Sequence, residues 1–191
     1  TLFRSPGAFD ASDPFTPQAR HLAVVSGGSG DPSQTRMLAE RMAESASAAL
    51  SEHGVVPQIH LITLRELAVD IAQALVTFAI SPALRAALDE VAQADAVIAV
   101  SPTYKASYSG LFKSFWDLAE PTSVVGVPVL LGATGGTDRH SLVLEHALRP
   151  MFSYLHAIVS PTAVYASTDD FGGSGDGEAL DRRVARAASD Y

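Results

Sequence analysis

With 191 residues, 47% of them hydrophobic and 18% charged, the chain has the composition of one globular domain with a sizeable core rather than of a disordered segment. The net charge of −8 and the lack of a basic cluster argue against a nucleic-acid surface. No apolar run approaches the roughly 20 residues of a membrane helix, and the first residues lack the apolar core of a signal peptide. We therefore expect a soluble, cytoplasmic protein that binds neither nucleic acid nor membrane.

The chain contains no cysteine. This excludes disulfides, thiolate catalysis, iron–sulfur clusters and cysteine zinc sites. His146 and His156 lie on or near one predicted helix without metal-ligand spacing, so no metal site is expected. Any redox chemistry must therefore be carried by a cofactor.

Residues 1–20 have little periodicity and several prolines, which predicts an irregular leader before a single domain over 21–191. In chain order, the hydrophobic patterns predict five strands, over 21–26, 55–62, 95–100, 127–133 and 158–166. They also predict helices over 33–53, from 63 onward, over 81–94, 109–119 and 141–155, and in the tail over 176–189. The spacing of Thr63 and Glu66 predicts a capping box, and Pro82 suits the first position of its helix.

The alternation of strands and helices predicts an α/β protein with right-handed crossovers and a parallel sheet. Five strands suit a doubly wound, flavodoxin-like sheet of order 2-1-3-4-5. In this order, the loops after strands one, three and four share one end of the sheet, where open α/β sheets bind their ligands.

The loop after the first strand, from Ser26 to Thr35, is rich in glycine and hydroxyl side chains. Ser33 and Thr35, with the free amides of a helix start, would suit a phosphate monoester. The alternative interpretation is a capped helix behind a flexible turn, because serine and threonine are common N-caps. Neither a dinucleotide fingerprint nor a Walker sequence fits this loop, which favours a mononucleotide.

The segment after the third strand begins with Pro102, Thr103, Tyr104 and Lys105. Backbone amides, a hydroxyl, an aromatic face and a cation together suit an isoalloxazine ring. We interpret Tyr104 as a ligand contact, whereas Lys105 is either a cation near a phosphate or a solvated loop lysine. After the fourth strand, the residues Thr134, Gly135 and Gly136 permit close backbone approach to a ring edge.

The segment Pro102–Gly110 resembles the Pro-x-Tyr-Lys-Ala-x-Tyr-Ser-Gly segment found in one branch of the NAD(P)H-dependent FMN reductase family of flavodoxin-like proteins. That branch contains the reductase components of two-component, alkanesulfonate-type monooxygenase systems. Thr134–Thr137, with His140 and residues 147–150, is also similar to this branch. The resemblance covers about residues 20–166. Many members have Gly-Ser-x-Arg in the first loop, whereas Gly27–Gly30 has no arginine and Arg36 follows later.

The resemblance implies hydride transfer from NAD(P)H to FMN, with no side-chain catalytic residue. It implies that Ser33 and Thr35 hold the FMN phosphate, in the loop opened by Ser26, which we include among the cofactor-binding residues. Residues 102–105 would line the flavin, and Thr134–Gly136 would face its pyrimidine side. A partner monooxygenase would receive the reduced flavin, and the position of Tyr108 in the related branch implies a homodimer or homotetramer.

Two alternatives stay open from the sequence. One is an enzyme that retains FMN and reduces quinones, azo dyes or metal oxyanions, and the other is a non-enzymatic, flavodoxin-like electron carrier. The choice between NADH and NADPH is also open, because none of Arg36, Arg139 and Arg149 has a spacing diagnostic of a 2′-phosphate site.

Overall fold

The computed structural model describes residues 18–172 and 176–191. Most of the predicted leader, residues 1–17, and the short segment 173–175 before the tail helix lie outside these ranges. Seven strands form one sheet with the order β2-β1-β3-β5-β6, while β4 pairs with β3 and β7 pairs with β5. The strands are β1 (Gln18–Ser26), β2 (Val55–Thr63), β3 (Ala96–Tyr104), β4 (Ser107–Tyr108), β5 (Pro128–Gly135), β6 (Ile158–Val159) and β7 (Val164–Ser167).

Six α-helices accompany these strands in the described residues. They are α1 (Gln34–Glu52), α2 (Ala68–Thr77), α3 (Pro82–Gln93), α4 (Gly110–Leu118), α5 (Arg149–Tyr154) and α6 (Asp176–Ser189). Short 3-10 turns cover Leu64–Leu67, Asp138–His140 and Thr168–Phe171, and a π-helical turn covers Leu144–Leu148. The sheet is parallel apart from the β3–β4 pair. The predicted flavodoxin-like α/β fold and its strand order are therefore confirmed.

The sheet separates two hydrophobic cores, as strand alternation requires. On β1, Leu22 and Val24 face a core built with helices α1 and α6. Ala23 and Val25 face the opposite core, which is formed with side chains from α2, α3, α4 and α5. Helices therefore cover both faces of the sheet, and its strand ends are left for binding.

The third strand was predicted to end at Val100, but β3 continues to Tyr104. Ser101 and Pro102 pair with β5, and the next two residues pair with β4 in a short antiparallel hairpin. Lys105 and Ala106 form the two-residue turn, with φ of 51° and 64°. This pattern is that of a type I′ hairpin, which normally favours asparagine and glycine at those positions. The prediction missed the hairpin because its turn carries neither residue.

Two further predictions were wrong in detail, and proline is the cause of both. The helix predicted over 141–155 is divided: Pro150 cannot donate a backbone hydrogen bond, and the Arg149 amide donates to Leu144 in a wider π-helical turn. The fifth strand is split around Pro161 into β6 and β7, which pair with opposite ends of β5.

The predicted capping box at Thr63 is absent, because the Thr63 side chain makes no cap hydrogen bond. In contrast, Ser81 caps α3 by accepting a hydrogen bond from the Leu84 amide at 3.1 Å, with Pro82 in the first turn as predicted.

Within residues 18–172 and 176–191, no single helix has the length and hydropathy needed to cross a membrane. The stretches Leu64–Thr77 and Pro82–Gln93 reach that length and composition only as a pair, with a bend of 93° between them.

Candidate functional site

The loops after β1 and β5 meet through two threonine side chains. The Thr35 and Thr134 hydroxyl oxygens lie 2.8 Å apart and form a buried hydrogen bond. Thr35 belongs to the first turn of α1, whereas Thr134 lies near the carboxyl end of β5. The parallel sheet order brings these ends together, as the sequence predicted. The predicted phosphate loop and the predicted ring-edge loop are therefore in direct contact.

The start of α1 has features that favour a bound anion. Ser33 is the N-cap, and its hydroxyl accepts a hydrogen bond from the Arg36 amide at 3.2 Å. No acidic side chain occupies the first turn of this 19-residue helix, so its amides and dipole favour an anion. A Cβ on Gly28 would lie 2.2 Å from the Ser33 hydroxyl oxygen and 3.0 Å from the Thr35 Cβ. Glycine is therefore needed to keep this cradle open, and a phosphate monoester fits the donors that line it.

An arginine that the sequence analysis did not single out reaches the same loop. The Arg65 guanidinium lies 2.9 Å from the Asp31 carboxylate and 3.5 Å from the Gly30 carbonyl oxygen. Arg36, which was considered instead, pairs with Glu40 at 2.8 Å, and this hydrogen bond raises the pKa of the Arg36 guanidinium. The strand order could have indicated this contact, because Arg65 follows the carboxyl end of β2 and β2 is the neighbour of β1.

The β3–β4 hairpin forms another wall of the site. Pro102 is buried, Thr103 is half-buried, and Tyr104 and Lys105 are exposed. The Tyr104 hydroxyl lies 3.0 Å from the Ser29 hydroxyl, which joins the hairpin to the first loop. Tyr104 therefore presents an exposed aromatic side chain beside the first loop. This contact between the Tyr104 hydroxyl and Ser29 of the glycine-rich loop was not predicted.

Buried serines fix the backbone beneath these loops. The Ser109 hydroxyl donates to the Gly27 carbonyl at 3.2 Å and also accepts from the Phe112 amide as the N-cap of α4. The Gly27 amide donates to the Val100 carbonyl at 2.8 Å. The Ser26 hydroxyl is fully buried at the end of β1 and has no hydrogen-bond partner among the described residues. An unpaired buried hydroxyl is costly in a core, so Ser26 is a candidate ligand contact that needs a local rearrangement.

The loop after β5 is held by a tyrosine from β7. Thr134 is buried, Gly135 is half-buried and Gly136 is exposed. The Tyr165 hydroxyl donates to the Thr137 carbonyl at 2.8 Å, and burial raises the pKa of this hydroxyl. A Cβ on Gly135 would lie 2.1 Å from the Tyr165 oxygen, so the observed position of Tyr165 requires glycine at position 135. This role of Tyr165 was not predicted, because Tyr165 lies inside β7 and not in a loop, and Pro161 interrupts the pattern of the predicted fifth strand.

Two aromatic side chains in the segment after the hairpin turn pack within the fold. Trp116 is buried and packs edge-on against Phe152, with ring centroids 4.8 Å apart. Tyr108 is half-buried and lies against Phe112. His140 is exposed in the turn after the β5 loop.

The site thus combines an anion cradle, an exposed aromatic side chain and two close-approach backbone loops. These features suit a phosphorylated ring system held mainly by backbone groups and hydroxyls. This is the arrangement of a flavodoxin-like protein that binds a flavin mononucleotide at the carboxyl ends of its strands.

Comparison with known proteins gives the family. Residues 21–171 match the model of the NADPH-dependent FMN reductase family. The chain is 40% identical to an FMN reductase (NADPH) of Pseudomonas aeruginosa over 150 residues, which are 78% of each chain. It is 39% identical to the NADH-dependent FMN reductase SfnF of Pseudomonas fluorescens over 155 residues, which are 80% of each. The X-ray structure of an oxidoreductase from Corynebacterium diphtheriae superposes with a TM-score of 0.85 at 40% identity, covering 91% of this chain and 94% of the other.

The chain therefore belongs to the NADPH-dependent FMN reductase family. Its activity is that of an NAD(P)H:FMN oxidoreductase, and FMN and a reduced nicotinamide nucleotide are its reactants.

Proposed function

We propose that this enzyme makes reduced FMN and releases it to a flavin-dependent monooxygenase of the alkanesulfonate type. The observation that carries the proposal is the Thr35–Thr134 contact, which joins the anion cradle to the ring-edge loop in one open site. A site formed mainly by backbone groups and hydroxyls, with Tyr104 and Lys105 exposed, suits a flavin that enters and leaves. The names of the SfnF and SfnE relatives, both NADH-dependent FMN reductases, support the assignment to a reductase of this kind.

In this proposal, the first loop binds the phosphate of FMN. Ser33, Thr35 and the free amides of α1 donate hydrogen bonds to it, and Gly28 leaves the space that it occupies. Ser26 joins this set if its buried hydroxyl turns toward the ligand. Arg65 pairs with Asp31 and reaches the Gly30 carbonyl oxygen, so it holds this loop in place beside the phosphate.

The other two loops position the ring. Pro102–Lys105 lines one side of the flavin, and Thr134–Gly136 contacts its pyrimidine edge. Bound FMN supplies the redox chemistry, because its N5 accepts the hydride that leaves nicotinamide C4. The protein contributes orientation of both rings, and no side chain of the described loops is assigned a catalytic proton transfer.

The test is a titration of purified, flavin-free protein with FMN at fixed NADH and, separately, fixed NADPH. We expect oxidation of the nicotinamide to depend on FMN and to saturate. Unchanged nicotinamide absorbance at saturating FMN overturns the proposal. Gly28→Ala tests whether saturation by FMN depends on the cradle at the start of α1. Gly177→Ala is the matched control, since a Cβ on Gly177 meets no described atom within 4 Å.

Release of the product is tested under anaerobic conditions. After turnover, ultrafiltration separates protein from free nucleotide, and reduced FMN is expected in the filtrate. FMN that stays with the protein through gel filtration would instead favour an enzyme that reduces quinones, azo dyes or metal oxyanions. A flavin-loaded protein inert to both NADH and NADPH would favour an electron carrier.

We further propose that residues 21–191 act as one FMN-binding domain in the cytoplasm, where reduced nicotinamide nucleotides are available, and that the protein is a homodimer or homotetramer. Exposed apolar side chains on and after α2 support assembly: Val69 is 79%, Val76 77% and Phe78 90% exposed. Sedimentation equilibrium tests the assembly, and a monomer at micromolar concentration contradicts it.

A further inference from the structure

Three side chains with metal-binding groups come together away from the flavin site. They are His21 on β1, His60 on β2 and Glu90 on α3, and one ligand atom from each lies within 4.8 Å of the others. His60 Nδ1 is 2.9 Å from a Glu90 carboxylate oxygen. The His21 and His60 rings stack with centroids 5.5 Å apart and planes inclined by 18°. All three residues are half-buried.

The fold creates this cluster from distant parts of the sequence. In the β1–β2 register, His21 lies opposite Gln58 and His60 lies opposite Ala23, so the histidines are diagonal neighbours. Both point to the side of the sheet that packs against α3, because Ala23 and Ile62 belong to the core on that side. Glu90 lies near the end of α3 and completes the group.

We propose that His21, His60 and Glu90 form a binding site for a divalent transition-metal ion of the zinc type. Two imidazoles and one carboxylate are a common protein ligand set for zinc, with water in the remaining position. Imidazole also selects this class of ion over magnesium and calcium, which prefer oxygen ligands. Ligand atoms bound tetrahedrally at about 2.0–2.2 Å lie about 3.4 Å from one another. Side-chain rotations must therefore shorten the longest separation in the cluster and lengthen the 2.9 Å contact between His60 and Glu90.

The site has a structural role rather than a part in hydride transfer. His21 precedes Ser26 by five positions on β1, and His60 lies opposite Ala23, three positions before Ser26, so the cluster lies about 10–17 Å from the first flavin loop along the strands. A bound ion would connect β1, β2 and α3, which are otherwise joined by the β1–β2 ladder and by side-chain packing. Binding to the folded protein alone raises its thermal stability.

The test uses untagged protein stripped with a chelator, titrated with Zn²⁺ in a calorimeter and with Co²⁺ in a visible spectrometer. We expect one Zn²⁺ per chain, a rise in melting temperature, and a d–d absorption of low-coordinate Co²⁺. His60→Ala and Glu90→Gln should each weaken Zn²⁺ binding at least about tenfold. His146→Ala and His156→Ala remove exposed histidines elsewhere and should leave binding unchanged.

Two results would overturn the proposal. One is the absence of Zn²⁺ binding by the unmodified chain at millimolar metal, which would reduce the cluster to a close contact between His60 and Glu90. The other is binding that both His60→Ala and Glu90→Gln leave intact. Glu90→Gln retains the size and shape of the side chain, so it separates loss of a ligand from loss of the fold. FMN-dependent NAD(P)H oxidation should be the same in all four variants, so the flavin proposal is tested independently.

Discussion

The Thr35 and Thr134 hydroxyls form a buried hydrogen bond of 2.8 Å across the site, between the first turn of α1 and the end of β5. Each hydroxyl is the partner of the other, and both residues are at most 4% exposed. The pair thus couples the position of the anion cradle to that of the ring-edge loop. Its contribution to stability and its contribution to FMN binding can be measured separately.

Thr35→Val should destabilise the protein by about 1–3 kcal/mol, because it leaves the Thr134 hydroxyl buried without a partner. The double variant Thr35→Val/Thr134→Val should cost less than the sum of the single changes, since no unpaired hydroxyl remains. Urea unfolding measures both. FMN affinity should instead fall in the double variant at least as far as in Thr35→Val, because the phosphate donor is lost in each.

Thr122→Val is the control for this cycle, because Thr122 is exposed in the turn before β5. It should change neither stability nor FMN affinity. Full recovery of FMN affinity in the double variant would show that Thr35 stabilises the loop and does not bind phosphate.

Gly136→Ala tests the backbone approach to the flavin. A Cβ at this position meets no described protein atom within 4 Å, so the fold should be unaffected. If the ring edge lies against this backbone, the added methyl group occupies ligand space, and the KM for FMN should rise about tenfold, equivalent to about 1.4 kcal/mol. Steady-state kinetics with varied FMN give the value, and calorimetric melting checks the fold.

Gly135→Ala provides the contrast at the adjacent position. Its Cβ would lie 2.1 Å from the Tyr165 oxygen, so it should lower the melting temperature even without flavin. An unchanged KM in Gly136→Ala would place the ring edge elsewhere.

Lys105→Gln tests the exposed cation at the tip of the hairpin. If Lys105 faces a phosphate of FMN or of the nicotinamide nucleotide, the variant should raise that KM several-fold at low ionic strength. The difference should shrink at about 1 M salt, where screening acts over only about 3 Å. Lys113→Gln is the matched control, because Lys113 pairs with Asp117 on α4. Equal effects of the two variants would indicate a change in net charge and no phosphate contact.

Tyr191 predicts a pH dependence of stability. Its hydroxyl donates to the Val97 carbonyl at 3.0 Å and the Pro128 carbonyl at 3.4 Å, and burial raises its pKa well above the ordinary value. As pH rises past about 10, the unfolded chain loses this proton while the folded chain keeps it, so the free energy of unfolding must fall. This group contributes up to about 1.4 kcal/mol per pH unit.

Urea unfolding at about pH 8 and pH 10.5 measures this slope around the ordinary tyrosine pKa. Tyr191→Phe should be less stable at the lower pH and should show a shallower decline between the two. Tyr154→Phe, at a position 82% exposed, should keep the slope of the unmodified chain. A slope in Tyr191→Phe equal to that of the unmodified chain would contradict the assignment.

Local chemistry explains which parts of the fold were predictable. Ser33 and Ser81 start their helices as N-caps, because the signal depends on residues within one turn. The tail helix was predicted over 176–189 and occupies those residues. The hairpin was missed because Lys105 and Ala106 adopt positive φ without the usual turn residues.

For the site, the sequence determined that glycine and hydroxyl residues follow the strands whose carboxyl ends share one edge of the sheet. A parallel α/β order follows from alternating local patterns, so the convergence of Thr35 and Thr134 was foreseeable. Only the tertiary structure decided which outside groups reach that edge, such as Arg65 on the first loop and Tyr165 beneath Gly135. It alone also brought His21, His60 and Glu90 together. These contacts depend on strand register and on helix packing between distant segments, and local sequence patterns determine neither of them.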